Sequence, residues 1–299
     1  MQNTNLQKGQ HKALSDIVTN ISPDETPFMT LIGKGRVTNV LFHWTEEELD
    51  PSTVNAQVEG AVAPAAVDNY LIERDNYTQI FARTVSVSGT SVANKTAGGV
   101  EALAHQVELK AKTLKIDMEK AFIGNFQTTK SVVGSARYTA GFAAQVDSAN
   151  IIDKAGTYVT AEEIDEMLTR LYEAGAKPDY IMCHPRVRNA LVAVLQAKGF
   201  VSRDIGDSTA LVTDIVTYTS PVGTVKLVNN RHARFDSAHG AGDIYFFDSS
   251  MWSVETLRPY QLEELAKTGD SMQRLLVVEC GLKNKNFKSA GIITTVLVG

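Results

Sequence analysis

Cys183 and His184 are adjacent in the sequence, the arrangement of a thiol nucleophile beside a base. Cys183, however, ends the apolar run Tyr180-Ile181-Met182-Cys183, which is typical of a buried strand. A buried cysteine behaves as a small hydrophobic residue, and nothing in the neighbouring sequence indicates a depressed thiol pKa. The sequence therefore favours a structural role for Cys183 over a catalytic one.

A second group of polar side chains could hold a metal ion. His232 and His239 are close enough in sequence to share a metal with Asp236 or Asp243 on one loop. The segment 231–243 is also rich in Gly, Ser and Asp, the composition of a solvated loop. The solvated loop is the favoured interpretation, and we expect no bound metal and no cofactor.

Known catalytic templates are absent from the sequence. There is no G-x-S-x-G elbow, no G-x-x-x-x-G-K-[ST] phosphate loop and no G-x-G-x-x-G dinucleotide loop. Gly33-Lys34-Gly35 lacks the rest of a phosphate loop and is interpreted as a turn before a strand. These absences predict that the protein is not an enzyme.

Composition narrows the remaining classes of function. The 299 residues carry a formal net charge of −5 and only two cysteines, Cys183 and Cys280. An acidic chain is unsuited to reading nucleic acid, because such binding depends on clustered Lys and Arg. Such a chain can still enclose nucleic acid without binding it tightly. We expect no disulfide framework, no signal peptide and no membrane span.

A long amphipathic helix is predicted over residues 97–127. Its apolar stripe steps by three and four residues, through Val100, Ala104, Val107, Ala111, Leu114, Met118 and Ala121. The opposite face is expected to carry Glu101, Glu108, Lys112, Lys115 and Glu119, with Glu108 and Lys112 as an i,i+4 ion pair. The alanines on the stripe suggest a spine against which strands pack closely.

The second half of the chain is predicted to alternate helices and strands. Thr160 and Glu163 form a capping box at the start of one helix, and Pro185 begins another. Strands are predicted at 213–218, 224–228, 244–247, 253–257, 275–282 and 289–298. Residues 76–90 alternate in polarity as one further strand, and residues 128–159 are expected to be loop with short strand pieces.

The N-terminal third lacks the large apolar side chains of a core. Pro23 and Pro27 restrict the backbone around a short apolar cluster that includes Phe28. Residues 50–70 contain mostly small side chains with Pro51, Gly60 and Pro64. Such segments cannot bury enough apolar area to be stable alone. We therefore expect an arm and a long loop that lie on another surface, most simply on a neighbouring subunit.

Two sequence blocks resemble one known family. The first contains Ile21-Ser22-Pro23, Thr26-Pro27-Phe28, the Gly33-Lys34-Gly35 turn and the aromatic strand Phe42-His43-Trp44. The second contains Leu265-Ala266-Lys267-Thr268-Gly269-Asp270-Ser271, followed by Leu275 to Leu282. In this order, and at the two ends of the chain, they resemble the major capsid proteins (major head proteins) of tailed bacteriophages.

The resemblance implies an α+β fold in four parts. These are an N-terminal arm over residues 1–45, an extended β-hairpin loop over 46–90, a peripheral domain with a long spine helix over 91–150 and 272–299, and an α/β axial domain over 151–271. It also implies self-assembly, as hexamers and pentamers, into an icosahedral shell around double-stranded viral DNA. The DNA would be enclosed without sequence-specific binding, and no membrane would be involved. Separate scaffolding, portal and decoration proteins would be possible partners, and the virion would be assembled in the host cytoplasm.

Residues of the arm and the extended loop are the candidates for contact between subunits. They are Pro23, Pro27, Phe28, Trp44, Glu46, Glu47, Glu48, Gly60 and Arg74. The acidic run Glu46 to Glu48 could face a basic patch or a cation, or simply be solvated. Lys283, Lys285 and Lys288 could meet an acidic neighbour or phosphate, or protect a strand edge.

The sequence departs from the family in two respects. The arm motif begins within about twenty residues of Met1, so a cleaved scaffolding segment is not expected. No lysine occurs between Lys34 and Lys95, so an isopeptide bond from the extended loop is not expected either. Two alternatives remain open: an encapsulin-like compartment that encloses enzyme cargo, and a cytosolic α/β enzyme with a site on the 229–243 loop.

Overall fold

The computed structural model describes residues 25–49, 54–63, 71–93, 102–124, 129–197, 217–267 and 269–298. The helices are α1 (Pro27–Leu31), α2 (Gly89–Ala93), α3 (Ala102–Ile123), α4 (Ala161–Glu173) and α5 (Pro185–Ala197). The strands are β1 (Gly33–Arg36), β2 (Leu41–Glu46), β3 (Ile72–Tyr77), β4 (Gln79–Ser88), β5 (Ser131–Val133), β6 (Ala136–Tyr138), β7 (Ile151–Asp153), β8 (Tyr180–Cys183), β9 (Thr217–Ser220), β10 (Gly223–Asn229), β11 (Phe235–Asp236), β12 (Ala241–Phe247), β13 (Trp252–Glu264), β14 (Ser271–Asn284) and β15 (Ala290–Leu297). The expected α+β class is confirmed.

Two sheets organise these elements. The first has the strand order β1-β13-β14-β4, and the second has the order β7-β15-β12-β8-β10-β9, with β11 on β12. Strands β2 and β3 form one separate hairpin, and β5 and β6 form another. The alternation of residues 79–88 is confirmed, since Phe81, Val85 and Val87 are buried between more exposed neighbours. The capping box at Thr160 and Glu163 is confirmed as well.

The sheets do not follow the predicted domain boundaries. Strand β15 was expected in the peripheral part, but it lies between β12 and β7 in the seven-stranded sheet. Strand β13 was expected in the axial part, but it pairs with β1 and β14 in the four-stranded sheet. The chain crosses between the sheets at residues 248–252 and again at 284–290, a non-local arrangement that sequence periodicity cannot reveal.

Buried apolar side chains form two main cores. The first core contains side chains of α3, of the four-stranded sheet and of one face of the seven-stranded sheet, and it is rich in aromatic residues. At its centre the rings of Phe142 and Trp252 stack with centroids 4.5 Å apart. The second core lies among α4, α5 and the seven-stranded sheet and is mostly aliphatic. No helix of the described residues is long and apolar enough to cross a membrane.

Helix α3 confirms most of the predicted stripe and corrects one face. Leu114 and Met118 are buried, and Ala111 packs against the same core. Glu108 is exposed and pairs with Lys112, with 3.2 Å between Oε1 and Nζ. Glu119 was predicted on the wet face, but it is fully buried. The C-terminal half of α3 is covered by α1 as well as by the sheet, so no wet side remains at that position.

Candidate assembly surface

The residues with the most reactive side chains do not form a catalytic site. Cys183 is buried, and burial raises the pKa of its thiol to about 12, so it remains protonated at neutral pH. The neighbouring His184 stacks on Phe235, with ring centroids 4.8 Å apart. Cys183 therefore has the structural role that its position in a buried strand predicted.

The polar loop before β12 does not bring metal ligands together. His239 Nδ1 lies 2.6 Å from Asp236 Oδ2 on the exposed tip, while His232 is buried elsewhere. Asp243 is also buried and accepts a hydrogen bond from the Thr295 N–H at 3.1 Å. No three His, Cys, Asp or Glu side chains form a metal-binding group within the described ranges.

The arm enters the core of its own subunit. Pro27 occupies the first turn of α1, where its missing N–H costs nothing. The Phe28 side chain has 0% exposure and meets the rings of Phe142, Phe247 and Trp252 edge-on, at 5.4 to 5.9 Å. The prediction that Phe28 anchors on a neighbouring subunit is therefore wrong. Pro23 lies outside the described residues.

Glu119 holds α1 in place from the middle of the chain. Its Oε1 accepts a hydrogen bond from the Phe28 N–H at 2.8 Å, and its Oε2 accepts one from the Met29 N–H at 3.0 Å. Asn230 Nδ2 donates to the same Oε1 at 2.7 Å. Burial raises the pKa of Glu119, although the Met29, Phe28 and Asn230 donors lower it.

Residues 230–232 contact the arm at two further points. Arg231 Nε lies 3.9 Å from Glu25 Oε2 in an exposed ion pair. The His232 ring forms a hydrogen bond with the backbone of Glu25, but burial dominates and lowers the pKa of this histidine. The arm is thus attached both to α3 and to the turn after β10.

The base of the β2–β3 hairpin is fixed on the segment between β14 and β15. Trp44 is buried and stacks on Phe42, with ring centroids 5.7 Å apart. Its ring also lies 6.4 Å from that of Phe287, and Lys283 Nζ lies 5.6 Å from its centroid. In the described structure Trp44 thus contacts its own subunit.

Glu46 and Arg74 complete this attachment. Glu46 Oε2 accepts from Arg74 Nε at 3.1 Å, and Glu46 Oε1 accepts from the Phe287 N–H at 3.1 Å. Glu48 pairs with Lys288, with 2.5 Å between Oε1 and Nζ, while Glu47 is exposed. Of the basic stretch near the C-terminus, Lys288 therefore meets an acidic side chain of the same chain, while Lys283 lies over Trp44 and Lys285 donates to the Ser250 carbonyl at 2.9 Å.

Beyond its base, the described part of the hairpin carries exposed apolar side chains. Leu49, Val54, Val58 and Val62 are between 81% and 96% exposed. A turn separates the last two: the Ala61 N–H donates to the Val58 carbonyl at 3.0 Å, and Gly60 has a φ of +79°. Glycine suits this position because a type II turn requires positive φ at its third residue.

Sequence reasoning missed Glu119, Asn230 and Phe287. One local signal existed for Glu119, because Met118, Ala121, Phe122 and Ile123 leave no continuous polar face around it. Nothing local indicated Asn230 or Phe287, because their partners lie 111 and 241 residues away in sequence.

Comparisons with solved structures show the fold. The chain is similar to a protein of the cyanophage A-1(L) capsid asymmetric unit, at a TM-score of 0.72 and 13% identity, over 98% of this chain and 99% of that one. A Mycobacterium phage Bobi chain gives a TM-score of 0.68 at 13% identity, covering 95% of each chain. A chain of the holo-SrpI encapsulin complex from Synechococcus elongatus PCC 7942 gives 0.65 at 13% identity, covering 98% of this chain and 93% of that one.

Comparisons of sequence are more specific. The major capsid protein of Escherichia phage Phieco32 is 26% identical over 97% of this chain and 95% of that protein. The model of the family described as SU10 major capsid protein matches residues 1–297. The resemblance seen in the two terminal blocks is confirmed, as is the expectation of a structural protein and not an enzyme. The chain belongs to the SU10 major capsid protein family and is a shell-forming structural subunit of a virion.

Proposed function

We propose that the subunit closes an icosahedral shell, as hexamers and pentamers, by laying residues 54–63 of the hairpin loop on a neighbouring subunit. The observation that carries this proposal is the exposure of Val54, Val58 and Val62 on the hairpin loop. Soluble proteins rarely leave large apolar patches uncovered, and such patches mark interaction sites. Full burial of one valine side chain contributes about 1.5–3 kcal/mol.

The rigid base of the hairpin supports the same proposal. Glu46, Arg74 and Trp44 fix β2 and β3 on their own subunit, so the direction of the loop is set before a neighbour arrives. A preorganised loop loses less conformational entropy on binding than a free one. Of the predicted contact residues, Glu47, Glu48 and Gly60 are exposed and remain candidates for the interface.

The shell would enclose double-stranded viral DNA without reading its sequence. The net charge of −5 supports this, because a tight grip on phosphate requires clustered basic side chains. Separate scaffolding, portal and decoration proteins would complete the particle, and assembly would take place in the host cytoplasm. No cofactor is needed for any of these steps.

Electron microscopy shows whether closed shells have formed. Hydrogen exchange in free subunits and in shells then tests the contact of the loop. Amides of residues 54–63 should exchange quickly in the free subunit and at least about tenfold more slowly in closed shells. Equal exchange in both states would mean that the loop is not at an interface.

Nuclease treatment of particles from infected cells tests the contents. Protected double-stranded DNA is expected inside them. Particles that enclose protein cargo and no DNA would favour the encapsulin alternative, to which the similarity in fold applies equally.

A further inference from the structure

The N-terminus of helix α1 is capped by a side chain that is distant in sequence. Pro27 has no N–H, and Thr26 makes no side-chain cap. The two remaining free N–H groups of the first turn, on Phe28 and Met29, each end on a different oxygen of Glu119. The N-terminus of α1 is therefore held by one side chain of α3.

The same carboxyl group also contacts the seven-stranded sheet. Asn230, directly after β10, donates to Glu119 Oε1 through Nδ2 at 2.7 Å. Its other groups are engaged as well: the Asn230 N–H donates to the Cys183 carbonyl at 2.9 Å, and its Oδ1 accepts from the His232 N–H at 2.8 Å. The orientation of the Asn230 amide is thus fixed by the sheet, and Oε1 joins the sheet to the Phe28 N–H.

We propose that Glu119 and Asn230 form a latch that seats the arm only when α3 and the seven-stranded sheet are in the arrangement seen here. A shift of that sheet relative to α3 would withdraw Asn230 from the carboxyl group and loosen α1. Glu119 acts as a positioning residue, and the inference concerns the single subunit, so it does not depend on how the shell closes.

Burial explains why the three hydrogen bonds of Glu119 would be lost together. A buried carboxyl group is costly when its oxygens are only partly hydrogen-bonded. Loss of one of its three donors therefore makes burial of the carboxyl group less favourable. The two hydrogen bonds to α1 are then weakened as well. The exposed Arg231–Glu25 pair cannot replace them, because exposed ion pairs with long separations contribute little.

Hydrogen exchange on the full-chain subunit tests the latch with two variants. Glu119→Gln replaces one acceptor oxygen by an NH₂ group, and Asn230→Ala removes the donor on the sheet but keeps the carboxyl group. In each variant the Phe28 and Met29 amides should exchange at least about tenfold faster than in the wild type. The amides of Leu168 and Leu171 in α4 should keep their wild-type rates, and Glu108→Gln, on the exposed face of α3, should change nothing.

The double variant decides whether the two residues act as one unit. Glu119→Gln combined with Asn230→Ala should exchange at Phe28 and Met29 no faster than Glu119→Gln alone, because coupled residues are not additive. The proposal is overturned if Asn230→Ala leaves these two amides at the wild-type rate, or if it accelerates exchange equally throughout the subunit. If Glu119→Gln does not fold, Asn230→Ala alone carries the same two outcomes.

Discussion

The guanidinium carbon of Arg74 lies 4.2 Å from the centroid of the Phe287 ring, and Glu46 accepts hydrogen bonds from both residues. Arg74 is on β3, Glu46 is on β2 and Phe287 lies between β14 and β15. The planar guanidinium can stack on the ring and donate to the carboxylate at the same time. This arrangement fixes the base of the β2–β3 hairpin, whose loop carries exposed apolar side chains.

Arg74→Lys should loosen the base of the hairpin. Lysine keeps the charge but loses the planar stacking, so we expect a loss of about 1 kcal/mol of unfolding free energy. The Phe287 amide should also exchange faster. Chemical denaturation and hydrogen exchange measure the two effects. Lys288→Gln, which breaks only the more exposed pair with Glu48, serves as the control and should be nearly silent; equal effects of the two variants would contradict this account.

Replacing the valines of the loop should affect assembly and not folding. In Val54→Ser, Val58→Ser and Val62→Ser combined, the melting temperature of the free subunit should stay unchanged, since these side chains are at least 81% exposed. The critical concentration for shell formation should rise at least tenfold, which corresponds to about 1.4 kcal/mol per subunit. Light scattering measures it. Val133→Ser, on the β5–β6 hairpin, controls for loss of an exposed valine, and assembly of the triple variant at the wild-type concentration would argue against a docking loop.

The two faces of α3 should respond differently to substitution. Ala111→Leu adds three carbons where the helix packs on its sheet, and such overpacking costs about 1–3 kcal/mol. Glu108→Gln removes only an exposed ion pair and should cost a few tenths of a kcal/mol. Thermal melts of the subunit compare them. A damaging Glu108→Gln beside a harmless Ala111→Leu would reverse the assignment of the buried face.

Particles should contain no covalent links between subunits. Because the extended loop lacks lysine from residue 35 to residue 94, boiled particles should run as one band of monomer mass on a denaturing gel. A ladder of larger bands that survives reductant would show cross-linking chemistry at another position.

Stability of α4 should depend on pH through Glu163. Partial burial raises the pKa of this carboxyl group, but hydrogen bonds from Lys154 and the Thr160 backbone outweigh burial and lower it below 4.5. Its stabilising contribution is therefore present above pH 4.5 and is lost as the pH falls through the lowered pKa. The difference in unfolding free energy between wild type and Glu163→Gln should shrink from pH 7 to pH 3 in urea titrations. A difference that stays constant over this range would mean that Glu163 contributes only as a neutral hydrogen-bonding group.

Local patterns predicted much of this fold. The capping box of α4 and the alternation along β4 depend on neighbours within a few residues, so both can be predicted from the local sequence. The burial of Phe28 had no such local signal, and the burial of Glu119 was indicated only by its apolar neighbours. The two residues meet across about ninety residues of sequence, and local patterns placed Phe28 in an arm and Glu119 on a solvent-exposed face.

The position of β15 has a consequence for synthesis of the protein. Its residues 292–294 are the sheet partners of 151–153, which lie about 140 positions earlier in the chain. In the described structure, β7 is joined to its sheet through β15. A nascent chain on the ribosome therefore cannot complete the second sheet until residue 297 has emerged. Contacts of such long range form late in folding. A chain that is still being synthesised is therefore not yet a folded subunit that can join a growing shell.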